Sequence, residues 1–140
     1  MKVGITFSTF DLFHRGHLLM LQEAKTQCDW LIACIQPDPT IDRPNKNKPI
    51  QTIFERLIQV RACKYVDEVL VYTTEEEVTQ VLKAIHFDVR IIGEEYKDKS
   101  FTGKTLSEDK LYYNKRQHEF STTELRDRII DRRTTTPKIN

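Results

Sequence analysis

The sequence predicts an α/β fold: a doubly wound parallel sheet of about five strands with helices on both faces. Three observations lead there. Short runs rich in β-forming residues alternate with segments of helical periodicity. Ser- or Thr-x-x-Glu capping boxes recur where helices should open. The polar, chemistry-bearing segments fall where the strands end, which is where open parallel sheets hold their ligands.

Val3–Phe7 is the first apolar run and reads as a strand. Gly16–Cys28 carries Leu18, Leu21, Ala24 and Cys28 at helical spacing. Trp30–Ile35 is a second apolar run, suited to a strand buried on both faces, with Trp30 a core residue at its start. Gln36–Gln51 holds four prolines, three basic residues and two asparagines, a long polar loop of the kind that usually has a function. Thr52-x-x-Glu55 opens a helix to Arg61, and Glu68–Val71 is the third strand. Thr74-x-x-Glu77 opens a helix to Ile85, and Val89–Ile92 is the fourth strand, ending at Gly93. A polar stretch covers Glu94–Lys115, the fifth strand is expected near Lys115–Phe120, and Ser121-x-x-Glu124 opens a last helix to about Arg132. Residues 1–133 are expected to form one domain and 134–140 a flexible tail.

The chain has 140 residues, 39% hydrophobic and 31% charged, enough for a normal core without disulfides or a structural metal. Twenty-two basic residues against 21 acidic ones leave a net charge of +1, so there is no bulk field for nucleic acid or an anionic membrane. The basic stretch Arg126–Arg133 also contains Asp127 and Asp131 and reads as a salt-bridged helix face. Cys28, Cys34 and Cys63 form no CxxC and an odd number, so buried free thiols in a reducing compartment are expected. No apolar run reaches membrane-span length, and Asp11 and His14 interrupt the start where a signal peptide is apolar. The expectation is a cytoplasmic protein with no membrane insertion and no nucleic-acid partner.

The segment Ser8-Thr9-Phe10-Asp11-Leu12-Phe13-His14-Arg15-Gly16-His17 follows the first strand and opens the first helix. A helix start offers unpaired N–H groups and partial positive charge, suited to phosphate. Gly16 allows close backbone approach, and His14 and His17 can each donate to one anion. The glycine spacings of a Walker P-loop or a dinucleotide fingerprint do not occur. A zinc site is disfavoured, because only His86 and His118 remain as further histidines and no cysteine pair has ligand spacing.

Thr9-Phe10-Asp11-Leu12-x-His14-x-Gly16-His17 resembles the HxGH signature of the nucleotidyltransferase superfamily, and within it the cytidylyltransferases. Arg116-x-x-x-x-Ser121-Thr122-Thr123 is similar to that family's RTEGISTT block, Tyr65–Val69 to the segment before its third strand, and Gly93-Glu94-Glu95-Tyr96 to its Gly-acid-acid-aromatic turn. The resemblance covers about residues 2–130 and implies a Rossmann-like fold and a homodimer. It implies transfer of CMP from CTP to a phosphorylated alcohol, sn-glycerol 3-phosphate first among them, with release of pyrophosphate. His14 and His17 would stabilise the transition state, with Arg116 and Lys46 as further catalytic cations. Thr9, Phe10, Gly16, Lys48, Gly93, Glu94, Ser121 and Thr122 would bind the nucleotide, and Asp11 and Lys64 the acceptor. Asp11 has a second reading, as an orienter of backbone at the strand end. Mg²⁺ would travel on the triphosphate, with no protein metal site.

Departures from the pattern bear on the acceptor. Ser8 stands where the family usually has glycine, so its φ is expected to be negative or strained. Glu119 replaces another glycine, Lys64 an arginine, and Val78 falls where the glycerol phosphate enzymes carry a substrate-contacting lysine. Residues Lys97–Lys110 have no clear counterpart. The alternatives are an adenylyltransferase acting on a sugar or cofactor phosphate, and a catalytically silent nucleotide-binding module.

Overall fold

Val3–Ser8 (β1) pairs in parallel with Trp30–Ile35 (β2) on one side and Val89–Gly93 (β4) on the other. Glu68–Val71 (β3) extends the sheet beyond β2, and Leu111–Asn114 (β5) beyond β4. The order is β3-β2-β1-β4-β5, so the chain winds one way from β1 and then the other, leaving a switch point between β1 and β4. The computed structural model describes residues 1–115 and 120–135.

The apolar runs work as two-faced strands. Leu31, Ala33 and Ile35 of β2 join Val89 and Ile91 of β4 in a core under Arg15–Lys25 (α1) and Ile53–Arg61 (α2). The alternate residues Ile32 and Cys34 join Val3 and Ile5 in a second core under Glu75–Ala84 (α3). Helices therefore cover both faces. Gly4 has a packing reason: a Cβ there would lie 2.7 Å from Cys28 Sγ. All three thiols are free, and Cys34 and Cys63 are buried. Trp30 packs on the second core and donates from Nε1 to Glu68 Oε1 at 3.1 Å.

The capping boxes largely form. Thr52 and Glu55 exchange backbone bonds at the start of α2. At α3, Thr74 accepts from the Glu77 N–H, but the Glu77 carboxylate reaches one residue further back, to Thr73 N–H. Ser121 Oγ accepts from the Glu124 N–H at 3.0 Å and opens Thr122–Thr135 (α5).

Three expectations are corrected. The first helix ends at Lys25, not Cys28, because Thr26 caps it and the chain must turn into β2. The fifth strand is Leu111–Asn114, not Lys115–Phe120: Leu111, Tyr112 and Tyr113 supply the β-formers, and the polar residues around them hide the run. The last helix reaches Thr135, past the expected end at about Arg132, and residues 136–140 lie outside the described part. The stretch Lys97–Lys110 supplies a short helix, Lys104–Ser107 (α4), beside α3. Among the described residues no helix is long and apolar enough to cross a membrane.

Candidate active site

Two imidazoles build the start of α1. His14 is the N-cap, in extended conformation, and its Nδ1 accepts from the Gly16 N–H at 3.0 Å. His17 Nδ1 accepts from the His14 N–H at 3.1 Å, closing a reciprocal box in which two histidines replace the usual hydroxyl and carboxylate. An Nδ1 that accepts carries no proton, so the hydrogen of each neutral ring sits on Nε2. The rings lie 4.0 Å apart between centroids. His17 stacks on Phe13 at 5.5 Å with 6° between planes. Burial, and then the neighbouring His14, push the His17 pKa down to about 3. His17 is thus neutral through the physiological range and holds Nε2–H as a donor. His14 Nε2 lies 3.3 Å from Thr122 Oγ1, whose own O–H donates to the Asp11 carbonyl at 3.2 Å. That bond joins the starts of α1 and α5.

The turn into α1 is strained and tied down. Phe10 and Leu12 have φ of 53° and 51°, left-handed values that cost bulky residues about 1–3 kcal/mol each. Ser8 stays in the strand with negative φ. Phe10 is wholly buried, and the Leu12 N–H donates to Gln51 Oε1 at 2.8 Å. Asp11 Oδ2 and Oδ1 accept the N–H groups of Ile50 and Gln51, each at 2.9 Å, and Oδ2 also meets Arg126 Nη2 at 2.7 Å. Burial raises the Asp11 pKa, but these partners outweigh it and hold it below the ordinary carboxylate value. Asp11 therefore anchors backbone, as its second reading expected.

These elements wall a cleft of about 840 Å³ over the strand ends. At the α1–α5 end the structure gathers His14, Gly16 and His17 with Ser121 and Thr122. Thr9, Lys46 and Gly93 also line the cleft. Other expected residues stand elsewhere. Phe10 is core and contributes its backbone turn alone. Lys48 is not in the lining; its carbonyl accepts from Arg126 Nη2 at 3.3 Å. Glu95 lines the cleft where Glu94 was expected, because the chain enters a 3₁₀ turn at Glu94–Tyr96. Lys64 is corrected as an acceptor ligand: it follows α2 at the opposite end of the sheet, its ammonium over the Tyr65 ring at 5.2 Å. Arg116 and Glu119 lie outside the described residues.

Four arginines were not foreseen. Arg56, 1% exposed, ties the loops that follow β1 and β2 to the start of α2. Its Nε donates to the Gln51 and Thr52 carbonyls, Nη1 to Thr9 and Gln36, and Nη2 to Pro37. Arg126 pairs with Asp11 across 115 residues of sequence. At the α3 end, Arg43 bridges Glu75 at 2.7 Å and Gln36 Oε1 at 2.8 Å. Arg90 lines the same end, close to Phe7 and Phe101. The signal for Arg90 was present in sequence, as a charged residue inside the apolar strand Val89–Gly93.

A family model described as Cytidylyltransferase-like matches residues 5–128. A glycerol-3-phosphate cytidylyltransferase of Bacillus subtilis is 30% identical over 129 residues, covering 92% of this chain and 98% of that protein. An ethanolamine-phosphate cytidylyltransferase of Dictyostelium discoideum is 32% identical over 87 residues, 61% of this chain; that match spans only 24% of the relative's length. Among solved structures, a lipopolysaccharide core biosynthesis protein of Thermoplasma volcanium shares the fold, with a TM-score of 0.60 at 21% identity over 94% of this chain and 88% of that one.

Proposed function

The chain belongs to the cytidylyltransferase-like family, and we propose that it transfers CMP from CTP to a phosphorylated alcohol, with sn-glycerol 3-phosphate the leading acceptor. The triphosphate takes the α1–α5 end of the cleft, its outer phosphates beside Ser121 and Thr122, with Lys46 approaching from the loop. An oxygen of the acceptor phosphate attacks the α-phosphorus. The bond from that phosphorus to the bridging oxygen of the β-phosphate breaks, and pyrophosphate leaves. The acceptor phosphate is already largely ionised at neutral pH, so no base is required to activate it.

The observation that carries this reading is the paired histidine cap. Both Nδ1 atoms are committed to backbone N–H groups and the His14 Nε2–H meets Thr122 Oγ1, which supports a role for the His17 Nε2–H as a preorganised donor to charge developing on the α-phosphate. Mg²⁺ arrives on the triphosphate. Among the described residues no three His, Cys, Asp or Glu side chains converge as a metal site, and both Asp11 oxygens are already engaged. A triphosphate-borne Mg²⁺ keeps phosphate and water ligands and fits such a donor set. The protein acts in the cytoplasm as a homodimer. Phe54 and Ile58, one turn apart on α2 and 72% and 71% exposed, support a second copy covering that face; light scattering that finds only monomer contradicts this part.

Pyrophosphate release, measured with each of the four nucleoside triphosphates against a panel of phosphorylated alcohols, tests the reading. CTP with sn-glycerol 3-phosphate should be fastest. ATP turned over as fast as CTP with every acceptor makes the protein an adenylyltransferase, and binding without release makes it a silent nucleotide-binding module.

A further inference from the structure

Arg90 stands in the middle of β4, between Val89 and Ile91, which face the α1–α2 core. Its side chain therefore goes to the other face, where it is 5% exposed yet lines the cleft. The guanidinium carbon lies over the Phe7 ring at 5.1 Å and the Phe101 ring at 5.2 Å. Nη1 donates to the Thr102 carbonyl at 2.7 Å and reaches Ser107 Oγ at 3.5 Å. Gly103 permits this closeness: at φ +75°, a Cβ there would lie 3.1 Å from Nη1 and 2.5 Å from Leu82 Cδ1.

The rest of the guanidinium is unused. Among the described residues, Nε is buried with no hydrogen-bond partner and Nη2 makes no hydrogen bond. No carboxylate of the described residues comes within ion-pair distance of it, since Glu75, the acid that favours its charge most, is paired with Arg43. Arg56 shows what a purely structural buried arginine looks like here, with all three nitrogens donating to carbonyls. A buried cation without a counter-ion is unfavourable, and the ring faces offset only part of that cost. An arriving anion completes it, and adjacent guanidinium N–H groups suit carboxylate or phosphate oxygens.

We propose that Arg90 binds the acceptor, its unused Nη2 N–H groups donating to anionic oxygens of the phosphorylated substrate. This rests on the transfer reading, which puts the triphosphate at the histidine end and leaves the α3 end, with Tyr72, Glu75 and Val78, to the acceptor. The anion is either the reacting phosphate or a second acid on the same molecule.

Calorimetric titration of inorganic phosphate into the full-length protein, without nucleotide, tests the site. Arg90→Met should weaken one phosphate site by on the order of ten- to a hundredfold, and Arg90→Lys should recover part of that. Folded variants that bind phosphate as the wild type does overturn the proposal; if Arg90→Met melts early, Arg90→Lys carries the comparison. Pyrophosphate release from CTP then separates the sources, with sn-glycerol 3-phosphate and 3-phosphoglycerate as acceptors. A raised KM for both in the variant assigns the reacting phosphate, and a raised KM for 3-phosphoglycerate alone assigns a second acid. A KM unchanged for both overturns acceptor binding. Absence of turnover with any acceptor refutes the transfer reading alone, because the phosphate titration needs no catalysis.

Discussion

At the α1 end of the cleft the functional rings are held by backbone, while at the α3 end the cation is held by side chains and loops from distant parts of the chain. His14 and His17 cap the helix that carries them, so geometry and tautomer follow from a few consecutive residues. Arg90 is positioned by Phe7 of β1 and by Phe101 and Thr102 beyond β4. A locally built site can keep its chemistry while the assembled end changes. That is the division expected of a family with one reaction and several acceptors.

The largest expected effect falls on the histidine end. His17→Ala should lower kcat by ~10²–10³, the usual worth of one preorganised donor. It also removes the acceptor of the His14 N–H, at a stability cost of about 0.5–2 kcal/mol. Pyrophosphate release with circular dichroism on the purified variant separates the two. His14→Ala should behave similarly, and the double variant should lose less than the product of the single losses if both rings serve one phosphate. Wild-type kcat in a folded His17→Ala protein reduces the box to a cap. The Arg90 variants sharpen the contrast from the other side, since their effect belongs in acceptor KM rather than in KM for CTP.

Asp11→Asn probes the anchor that ties the turn before α1 to the loop before α2 and to α5. It keeps the shape, removes the charge facing Arg126 and replaces one acceptor oxygen with a donor, and should destabilise by about 1–3 kcal/mol in chemical denaturation. The folded pKa of Asp11 lies below its ordinary value of 3.8, so its contribution is complete above that value. It is lost as pH falls through the lower folded value. Acid unfolding of Asp11→Asn should therefore be shallower than that of the wild type in that range, and identical profiles contradict the anchor role.

The smallest expected effect is on the pH profile of kcat. With His17 pushed down to about 3, no step from this ring should appear between about pH 5 and 8. A limb that disappears in His17→Ala would mean that the ring titrates as an ordinary imidazole.

What the sequence disclosed divides along the same line. Local patterns were legible: β2 begins and ends where the apolar run does, and Thr52 with Glu55 opens α2. The HxGH segment lies at a helix start facing a cleft. The fifth strand was displaced because Tyr112 and Tyr113 sit among charges that mask a short edge strand. Arg126 read as one charge on a salt-bridged face, and Arg128 does pair with Glu124 on that helix at 3.2 Å. Its partner Asp11 lies far away in sequence, and no periodicity links them. Arg43 and Arg56 acquire their roles only when the fold brings loops together, so spacing carries no trace of them, whereas Arg90 left one sign, a charge inside an apolar strand.

The central claim is that the backbone fixes both histidines as neutral Nε2–H donors, and nitrogen-15 NMR of the imidazole rings tests it most directly. The structure predicts an unprotonated Nδ1 and a protonated Nε2 for His17, unchanged from about pH 8 down to about pH 5. A protonated Nδ1, or a His17 ring that titrates near its ordinary value of 6.5, would contradict it.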